Sequence, residues 1–220
     1  MSFTGFGEDA FEFYDGLIAD NSKAYWTDHA DTYRSAIREP MESLLAALEA
    51  EFGTGALFRP YRDVRFSRDK SPYKNHAGAY IGQGAEPGGY YVQLGADGLY
   101  AAAGYYQLAT DQLERFRRAI DDEINGPALE RIVTKLAENG YEVKGEQVRT
   151  RPRGWPADHP RIDLIRRKAL YAGVLWEPAE WVHTPECAER VADAWRGTQP
   201  LLAWLRTHVG PSVAPPEKRR

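Results

Sequence analysis

The sequence predicts an α+β fold in which helices from both ends of the chain cover an antiparallel sheet. Through residues 6–52 the apolar side chains recur at three- and four-residue steps, the spacing of one helix face. Between residues 57 and 106 the apolar side chains alternate with polar ones in short, tyrosine-rich segments separated by glycines. Helical spacing returns after residue 110. Strands that follow one another through tight turns form an antiparallel meander, so a parallel sheet with crossover helices is not expected.

Three helices are predicted ahead of the sheet. The first places one apolar face on Phe6, Ala10, Phe13, Leu17 and Ile18. The second begins at an N-cap, Asn21 or Ser22, and continues through Tyr25, Trp26, His29 and Tyr33. The third carries Met41, Leu44, Leu45, Leu48 and Phe52. Pro40 suits the first turn of this third helix, and Gly53 suits its end.

The core strands of the sheet are expected within residues 57–106. Val64 and Phe66 alternate with Asp63, Arg65 and Ser67, which predicts a strand with one face in water. Further strands are expected at residues 77–82, 90–94 and 99–106. The Asp97-Gly98 dipeptide lies between the last two of these, and it predicts a tight hairpin turn.

The second half of the chain returns to helices and extends the sheet. Thr110 and Pro127 begin two helices, and a last helical stretch follows Thr184. Residues 141–149, interpreted as a hairpin of 141–143 with 147–149, and residues 169–175 are expected to extend the sheet. We predict a single domain over residues 1–210 and a disordered C-terminal tail over residues 211–220.

Composition excludes several classes of protein. A hydrophobic fraction of 43% with 12% aromatic residues is too high for a disordered chain. One cysteine excludes a disulfide scaffold and favours a reducing compartment, so we expect a cytoplasmic protein. The chain contains no run of about 20 apolar residues, so no membrane span is expected. The five histidines lack metal-ligand spacing and the glycines lack a phosphate-loop pattern, so neither metal nor cofactor is expected.

One cysteine–histidine pair could form a reactive site. His183 and Cys187 are four residues apart near the start of a predicted helix, where a thiolate is favoured. Pro185 places His183 outside that helix. We therefore expect an ordinary helix-terminal cysteine, and we assign no catalytic residue.

Charge is distributed unevenly along the chain, although its net value is only −4. Residues 59–74 hold six basic and two acidic residues, and residues 149–168 hold seven basic and two acidic residues. The remainder of the chain is acidic or balanced. This pattern does not support a basic face for nucleic acid over the whole protein, but it allows a local anion site.

The first cationic segment carries the strongest functional signal. Residues 58–76 read FRPYRDVRFSRDKSPYKNH. Arginine presents a planar fork that matches the oxygens of carboxylate or phosphate, and lysine adds a point charge. The predicted ligand-binding residues are Arg62, Asp63, Arg65, Asp69, Lys70, Tyr73 and Lys74. In this hypothesis Asp63 orients an arginine, and the loop after the strand delivers the two lysines to the rim of a polar floor.

The same segment resembles a family signature. Residues 59–74 match the pattern R-P-x-R-D-x-R-F-S-x-D-K-S-P-Y-K of a bacterial family of conserved hypothetical proteins, known as a domain of unknown function. Its N-terminal pattern, F-x-F-Y…L…N-N…W, is matched by Phe11, Phe13, Tyr14, Leu17, Asn21 and Trp26, with Asp20 in place of the first asparagine. The similarity extends from about Phe3 to Val209. The resemblance implies one α+β domain and no particular activity.

The second cationic segment mixes arginine with tryptophan. Such a pairing could stack a base or a ring, whereas the simpler interpretation is a solvated loop in which Trp155 packs down as an anchor. If the two cationic segments converge, they form one cleft with a second wall. The residues of that wall are Tyr91, Tyr105, Arg151, Arg153 and Trp155.

Three functional hypotheses follow from these segments. The first is a pocket for a small anionic ligand that carries phosphate or carboxylate, either as an enzyme or as a binding protein. The second is a nucleic-acid binding module that uses both cationic segments. We favour nucleic acid less than a small anion as the partner. The third is a structural or interaction protein, in which the arginines and aspartates form only an ion-pair network. The oligomeric state is not predicted by any feature of the sequence.

Overall fold

A computed structural model describes residues 2–65, 67–82 and 88–213. Its α-helices are α1 (Glu8–Ala19), α2 (Lys23–Asp28), α3 (Ala30–Thr32), α4 (Glu39–Phe52), α5 (Thr110–Asp121), α6 (Asn125–Glu138), α7 (Ile162–Ile165), α8 (Glu186–Gly197) and α9 (Gln199–His208). A π-helical segment, Tyr33–Arg38, joins α3 to α4, and a 3-10 turn, Glu180–His183, precedes α8. The strands are β1 (Gly55–Leu57), β2 (His76–Ile81), β3 (Gly89–Gly95), β4 (Gly98–Tyr105), β5 (Glu142–Lys144) and β6 (Leu170–Trp176).

The six strands form one antiparallel sheet in the order β1-β2-β3-β4-β6-β5. In its register Gly55 pairs with Ile81, Tyr80 with Tyr91, and Lys144 with Tyr171. The structure confirms the α+β class and the meander of strands. It also confirms that the two predicted C-terminal segments extend the sheet. The Asp97-Gly98 turn is also present, with Gly98 at φ +119° as the first residue of β4.

The chain divides into two compact units. Unit 1 comprises Met1–Ile81, Tyr90–Ala101 and Leu175–Ala194, and unit 2 comprises Gly82–Gly89, Ala102–Val174 and Trp195–Arg220. Strands β4 and β6 contribute residues to both units. The first cationic segment therefore lies in unit 1, and the second lies in unit 2.

The core of unit 1 lies between its helices and one face of β2 and β3. Its largest fully buried side chains come from α1, α4, these strands, the residues ahead of α1 and the π-helical segment, namely Phe6, Tyr14, Leu17, Ile37, Met41, Leu44, Phe52, Ile81 and Leu94. Burying each large apolar side chain contributes about 1.5–3 kcal/mol. Residues of opposite parity form what we call the outer face of unit 1: His76, Gly78, Tyr80, Tyr91 and Gln93. All of these except Gly78 are half-buried.

The core of unit 2 joins α5, α6 and α9 to the inner residues of β4 and β6. It includes Tyr105, Phe116, Ile120, Leu129, Leu170, Leu201 and Leu205. Trp155 packs against this cluster from the loop ahead of α7. The Arg161 side chain caps the C-terminus of α5. It donates hydrogen bonds to the carbonyl oxygens of Ile120 and Asp121, which would otherwise lack partners there.

The helix boundaries confirm some sequence signals and correct others. Ser22 caps α2, since its Oγ accepts a hydrogen bond from Tyr25 N–H at 3.1 Å, and Gly53 ends α4 at φ +96°. Pro40 lies in the first turn of α4, as predicted, but this helix has no separate start, because it continues directly from the π-helical segment. The wide turn, in which Glu39 N–H donates to Arg34 O, accommodates a ring that lacks an amide hydrogen.

The strand predicted around Val64 is wrong. Residues 62–65 form a loop, and Phe66 lies outside the described residues. The Asp63 carboxylate accepts hydrogen bonds from the backbone N–H and the guanidinium of Arg65, a local turn that competes with strand pairing. The alternation of apolar and polar residues therefore does not continue into a ladder here.

The hairpin predicted within residues 141–149 is also wrong. Strand β5 pairs with β6, and Gln147 forms an isolated bridge to Arg167. Strand β6, with seven residues, offers β5 a longer pairing partner than the predicted three-residue strand 147–149 could. At the C-terminus, Ser212 Oγ and Val213 N–H donate to the Asp111 carboxylate, whereas residues 214–220 of the predicted tail lie outside the described residues.

Two further features of the described residues bear on function. No helix among them is long and apolar enough to cross a membrane. No group of three or more histidine, cysteine or acidic side chains is arranged there to hold a metal ion.

Candidate functional site

The candidate site in unit 1 is the cationic loop, which we define as residues 58–75. Backbone hydrogen bonds close its base: Arg62 N–H donates to Pro72 O at 2.9 Å, and Lys74 N–H donates to Pro60 O at 2.8 Å. Between them Tyr61 and Tyr73 form an antiparallel bridge. The two arms of the loop are therefore held together, and the charged residues lie between these fixed ends.

The N-terminal helices anchor the loop through Asn21 and Trp26. Asn21 Oδ1 accepts from Tyr73 N–H, and Asn21 Nδ2 donates to Tyr73 O, each at 3.1 Å. Nδ2 also donates to Asn75 Oδ1 at 2.9 Å. Trp26 stacks on the ring of Tyr73, which is 4% exposed, and Tyr61 packs beside them with half of its surface exposed. The arm that precedes β2 is thereby fixed to unit 1.

Both aspartates of the loop pair with arginines of the same loop. Arg62 Nη1 donates to Asp69 Oδ2, and Arg65 donates to Asp63 through Nε at 2.9 Å and Nη2 at 2.6 Å. The Arg65 side chain is 76% exposed and that of Asp63 is 46% exposed. Asp69 also accepts hydrogen bonds from the Ser71 hydroxyl and backbone. The prediction that Asp63 orients an arginine agrees with this geometry.

These contacts keep both carboxyl groups ionised. Hydrogen bonds from the Arg65 side chain and backbone, with the nearby charge of Arg59, lower the pKa of Asp63 well below its usual range. The Ser71 hydroxyl and amide, followed by Arg62, lower the pKa of Asp69 to about 2. Two of the six positive charges of the loop are thus matched by its own acids.

The two lysines of the loop donate to neutral groups. Lys70 Nζ donates to Val64 O, and Lys74 Nζ donates to Arg59 O, each at 2.9 Å. Lys74 Nζ also lies 5.3 Å from the centre of the Phe58 ring, within the range of a cation–π contact. Burial and the charge of Arg59 lower the pKa of Lys74. No salt bridge within the described ranges neutralises either ammonium group.

The outer face of unit 1 begins where the loop ends. His76 is the first residue of β2, and burial, followed by the charges of Lys74 and Arg62, lowers its pKa, although Asp97 opposes this. Its imidazole is therefore neutral at physiological pH. The Tyr91 hydroxyl donates to Gln93 Oε1 at 2.8 Å and covers the position where Gly78 would carry a Cβ. The loop and this face together place cations beside neutral donors and acceptors.

The residues of the predicted second wall are distributed over both units. Tyr91 lies on the outer face of unit 1, whereas the other four belong to unit 2. Tyr105 is buried in the core of unit 2, at 1% exposure. Arg151 and Arg153 are exposed, and Trp155 packs on the core with its carbonyl accepting from Arg151 Nη1 at 2.7 Å. This placement agrees with the anchor interpretation of Trp155.

Three of the six arginines of the second cationic segment, Arg151, Arg161 and Arg166, donate to backbone carbonyl oxygens of unit 2. Arg161 donates to the end of α5, and Arg166 donates to the carbonyl oxygens of Val148 and Arg149. Lys168 Nζ pairs with Glu146 at 2.7 Å. These cations therefore help to hold loops and a helix end of unit 2 in place.

Several residues of the site were missed by the sequence analysis. Tyr61 and Phe58, both substantially exposed, belong to the loop itself, and His76 and Gln93 follow it on the sheet. The alternation of β2 and β3 could have placed His76 and Gln93 on one face, but the strand pairing was needed to bring them together. Asn21 was noted only as a helix cap and as a match to the family pattern.

Comparison with known proteins identifies one family that the chain matches. A family model described as a conserved hypothetical protein (DUF2461) matches residues 9–204, nearly the whole chain. A search of curated proteins found no match.

Proposed function

The chain belongs to the conserved hypothetical family DUF2461, and from its site we propose that it binds a small anionic ligand carrying phosphate or carboxylate. The cationic loop of unit 1 is the proposed binding element. Lys70, Lys74 and Arg62 supply the charge, and Tyr73 and Asp69 hold the loop in shape. The description of the family assigns no activity, so the proposal concerns binding and leaves open whether a reaction follows.

The observation that carries the proposal is the uncompensated charge of the loop. Six cations stand against two carboxylates, and each carboxylate is matched by an arginine of the loop itself. Among the described residues, Lys70 and Lys74 donate only to carbonyl oxygens, which satisfy hydrogen bonds but carry no formal charge. An oxyanion at this position gains charge-assisted hydrogen bonds that the folded chain does not supply.

The arginines of the loop can exchange partners at small cost. The Arg65–Asp63 pair is largely exposed, and exposed ion pairs contribute little to stability because water and salt screen them. A ligand with two oxygens matches the fork of a guanidinium as well as an aspartate does. The same exposure argues against the alternative in which Arg65 mainly fixes the structure.

The nucleic-acid alternative receives less support from the geometry. It requires the second cationic segment, whose Arg161 and Arg166 donate to backbone carbonyls, and Trp155, which packs on the core of unit 2. For the compartment, the single cysteine supports our expectation of a reducing environment, the cytoplasm.

Isothermal titration with inorganic phosphate, AMP and citrate tests the proposal. We expect at least one of these to bind saturably and to raise the Tm, since a ligand of the native state stabilises it. Lys70→Gln combined with Lys74→Gln should weaken this binding by about tenfold or more, because charged hydrogen bonds contribute about 1.5–3 kcal/mol.

A matched control is Lys135→Gln, which removes one exposed lysine from α6 in unit 2. This variant should bind as the unmodified protein does. Binding that is unchanged in the double variant, or the absence of binding by all three probes at millimolar concentration, would overturn the proposal.

A further inference from the structure

Arg167 in unit 2 differs from the other partly buried arginines around it. Arg117, Arg161 and Arg166 each donate to backbone carbonyl oxygens of the same unit. The Arg167 side chain is half-buried, and its Nε is fully buried without a hydrogen-bond partner among the described residues. An N–H donor taken out of water without an acceptor is costly, so this Nε–H requires an explanation.

Tyr171 lies close enough to this guanidinium to interact with its charge, and Tyr106 packs against Tyr171. Strand register pairs Lys144 with Tyr171, and the bridge of Gln147 to Arg167 continues the same edge of β6. The ring of Tyr171 lies 5.6 Å from that of Tyr106, which directly follows β4 and is 80% exposed. Tyr171 also covers the position where Gly104 would carry a Cβ. An aromatic surface open to solvent thus adjoins the unpartnered cation.

The nearby carboxylates already have cations of their own. Glu142 pairs with Lys144, and Glu146 pairs with Lys168. Asp163 lies 3.9 Å from Arg166, with 85% of its side chain exposed. The charge of Arg167 is therefore not matched by a contact ion pair within the described part of unit 2. Burial lowers the pKa of Arg167, consistent with a guanidinium that lacks acceptors.

We propose that Arg167, Tyr171 and Tyr106 form a second binding site, which takes a small molecule with a phosphate or carboxylate group attached to a planar ring. The guanidinium receives the anionic group through its terminal N–H donors, and Tyr171 forms the wall beside it. The ring of the ligand stacks on Tyr106, whose exposure leaves that face accessible. This site is separate from the cationic loop and does not depend on the function proposed for that loop.

Phenyl phosphate is the probe, with inorganic phosphate as the ringless comparison. We expect phenyl phosphate to bind saturably and to shift the NMR signals of the Arg167 Nε–H and of Tyr171. Arg167→Leu should abolish this binding and should leave the Tm of the ligand-free protein unchanged or raised, because it removes a desolvated charge without acceptors. Tyr106→Ala should weaken binding of phenyl phosphate by about tenfold while leaving that of inorganic phosphate unchanged.

Two controls separate this site from other basic groups. Arg153→Gln removes an exposed arginine of the same segment and should not change binding. Lys70→Gln with Lys74→Gln affects the cationic loop alone and should leave the Arg167 signals responsive to phenyl phosphate. The proposal is overturned if phenyl phosphate does not perturb the Arg167 signal, if Arg167→Leu binds normally, or if Arg167→Leu lowers the Tm, which would indicate a structural role.

Discussion

Trp26 and Tyr73 stack face to face, with ring centroids 4.2 Å apart and 7° between the ring planes. The contact joins α2 to the end of the cationic loop, 47 positions further along the sequence. The stack therefore fixes the end of the charged loop to a helix near the N-terminus of unit 1.

A double-mutant cycle should detect this stack as an energetic coupling. We expect Trp26→Leu and Tyr73→Leu to couple by about 0.5–1.5 kcal/mol in the free energy of unfolding, the usual contribution of an aromatic pair beyond its buried area. Urea denaturation of the four proteins measures it. Strictly additive losses would show that the two rings merely pack into the same core.

Asn21 should matter more to stability than its partial exposure implies. It satisfies both backbone polar groups of Tyr73, so Asn21→Ala leaves a donor and an acceptor without partners. We expect a loss of about 1–3 kcal/mol in the free energy of unfolding. Asn21→Asp keeps the acceptor for Tyr73 N–H and should lose less. Equal losses in the two variants would contradict this division of roles.

The sequence predicted the sheet better than it predicted the site. The helix stripes, the capping serine and the Asp97-Gly98 turn are local signals, and each determines structure within a few residues. The meander follows because short turns leave neighbouring strands little choice of partner. By contrast, β5 pairs with β6 across 26 residues, and the chain near β5 gives no local signal of that choice.

The cationic loop shows where local patterns mislead. The polar Asp63 and the apolar Val64 alternate as residues of a strand do. The Asp63 carboxylate, however, accepts hydrogen bonds from the backbone N–H and the side chain of Arg65, so that N–H does not need a partner strand. The residues of the cationic loop are neighbours in the structure because they are close in sequence. Asn21 and Trp26 could not be assigned to the loop, since only tertiary packing brings them there.

Gly98 should be intolerant of any side chain. Its φ of +119° is unfavourable for other residues, and a Cβ would lie 1.9 Å from the carbonyl oxygen of Trp176. We expect Gly98→Ala to lower the free energy of unfolding by at least about 1–3 kcal/mol from the backbone alone. Gly7→Ala is the control, because a Cβ at that position meets no atom within 4 Å. Thermal unfolding of both variants measures the difference.

The pKa of Asp69 provides a pH test of the loop. Because that pKa is lowered from 3.8 to about 2, the ionised carboxylate stabilises the folded loop at neutral pH and above about pH 4. This contribution is lost as the pH falls through about 2. An NMR titration of the Asp69 carboxyl carbon should give that low midpoint.

Two variants separate the causes of this shift. Ser71→Ala should raise the midpoint of Asp69 more than Arg62→Gln does, since the Ser71 hydroxyl is the largest single cause of the shift and alanine keeps only the backbone N–H. A larger effect from Arg62→Gln would instead show that the ion pair dominates. A midpoint near 3.8 in the unmodified protein would show that the loop does not hold this geometry in solution.

Cys187 should be inert in the folded protein. It lies in the first turn of α8, a position that favours a thiolate when exposed, but it is fully buried, and burial raises the pKa of its thiol to about 12. His183 does not offset this effect, because its Nδ1 is bonded to Phe6 O at 2.7 Å. We expect Ellman's reagent to label native protein only as slowly as it unfolds, and to label urea-unfolded protein at once. Rapid labelling of the native protein would show that the thiol is accessible, and would reopen the reactive pair that the spacing of these two residues suggests.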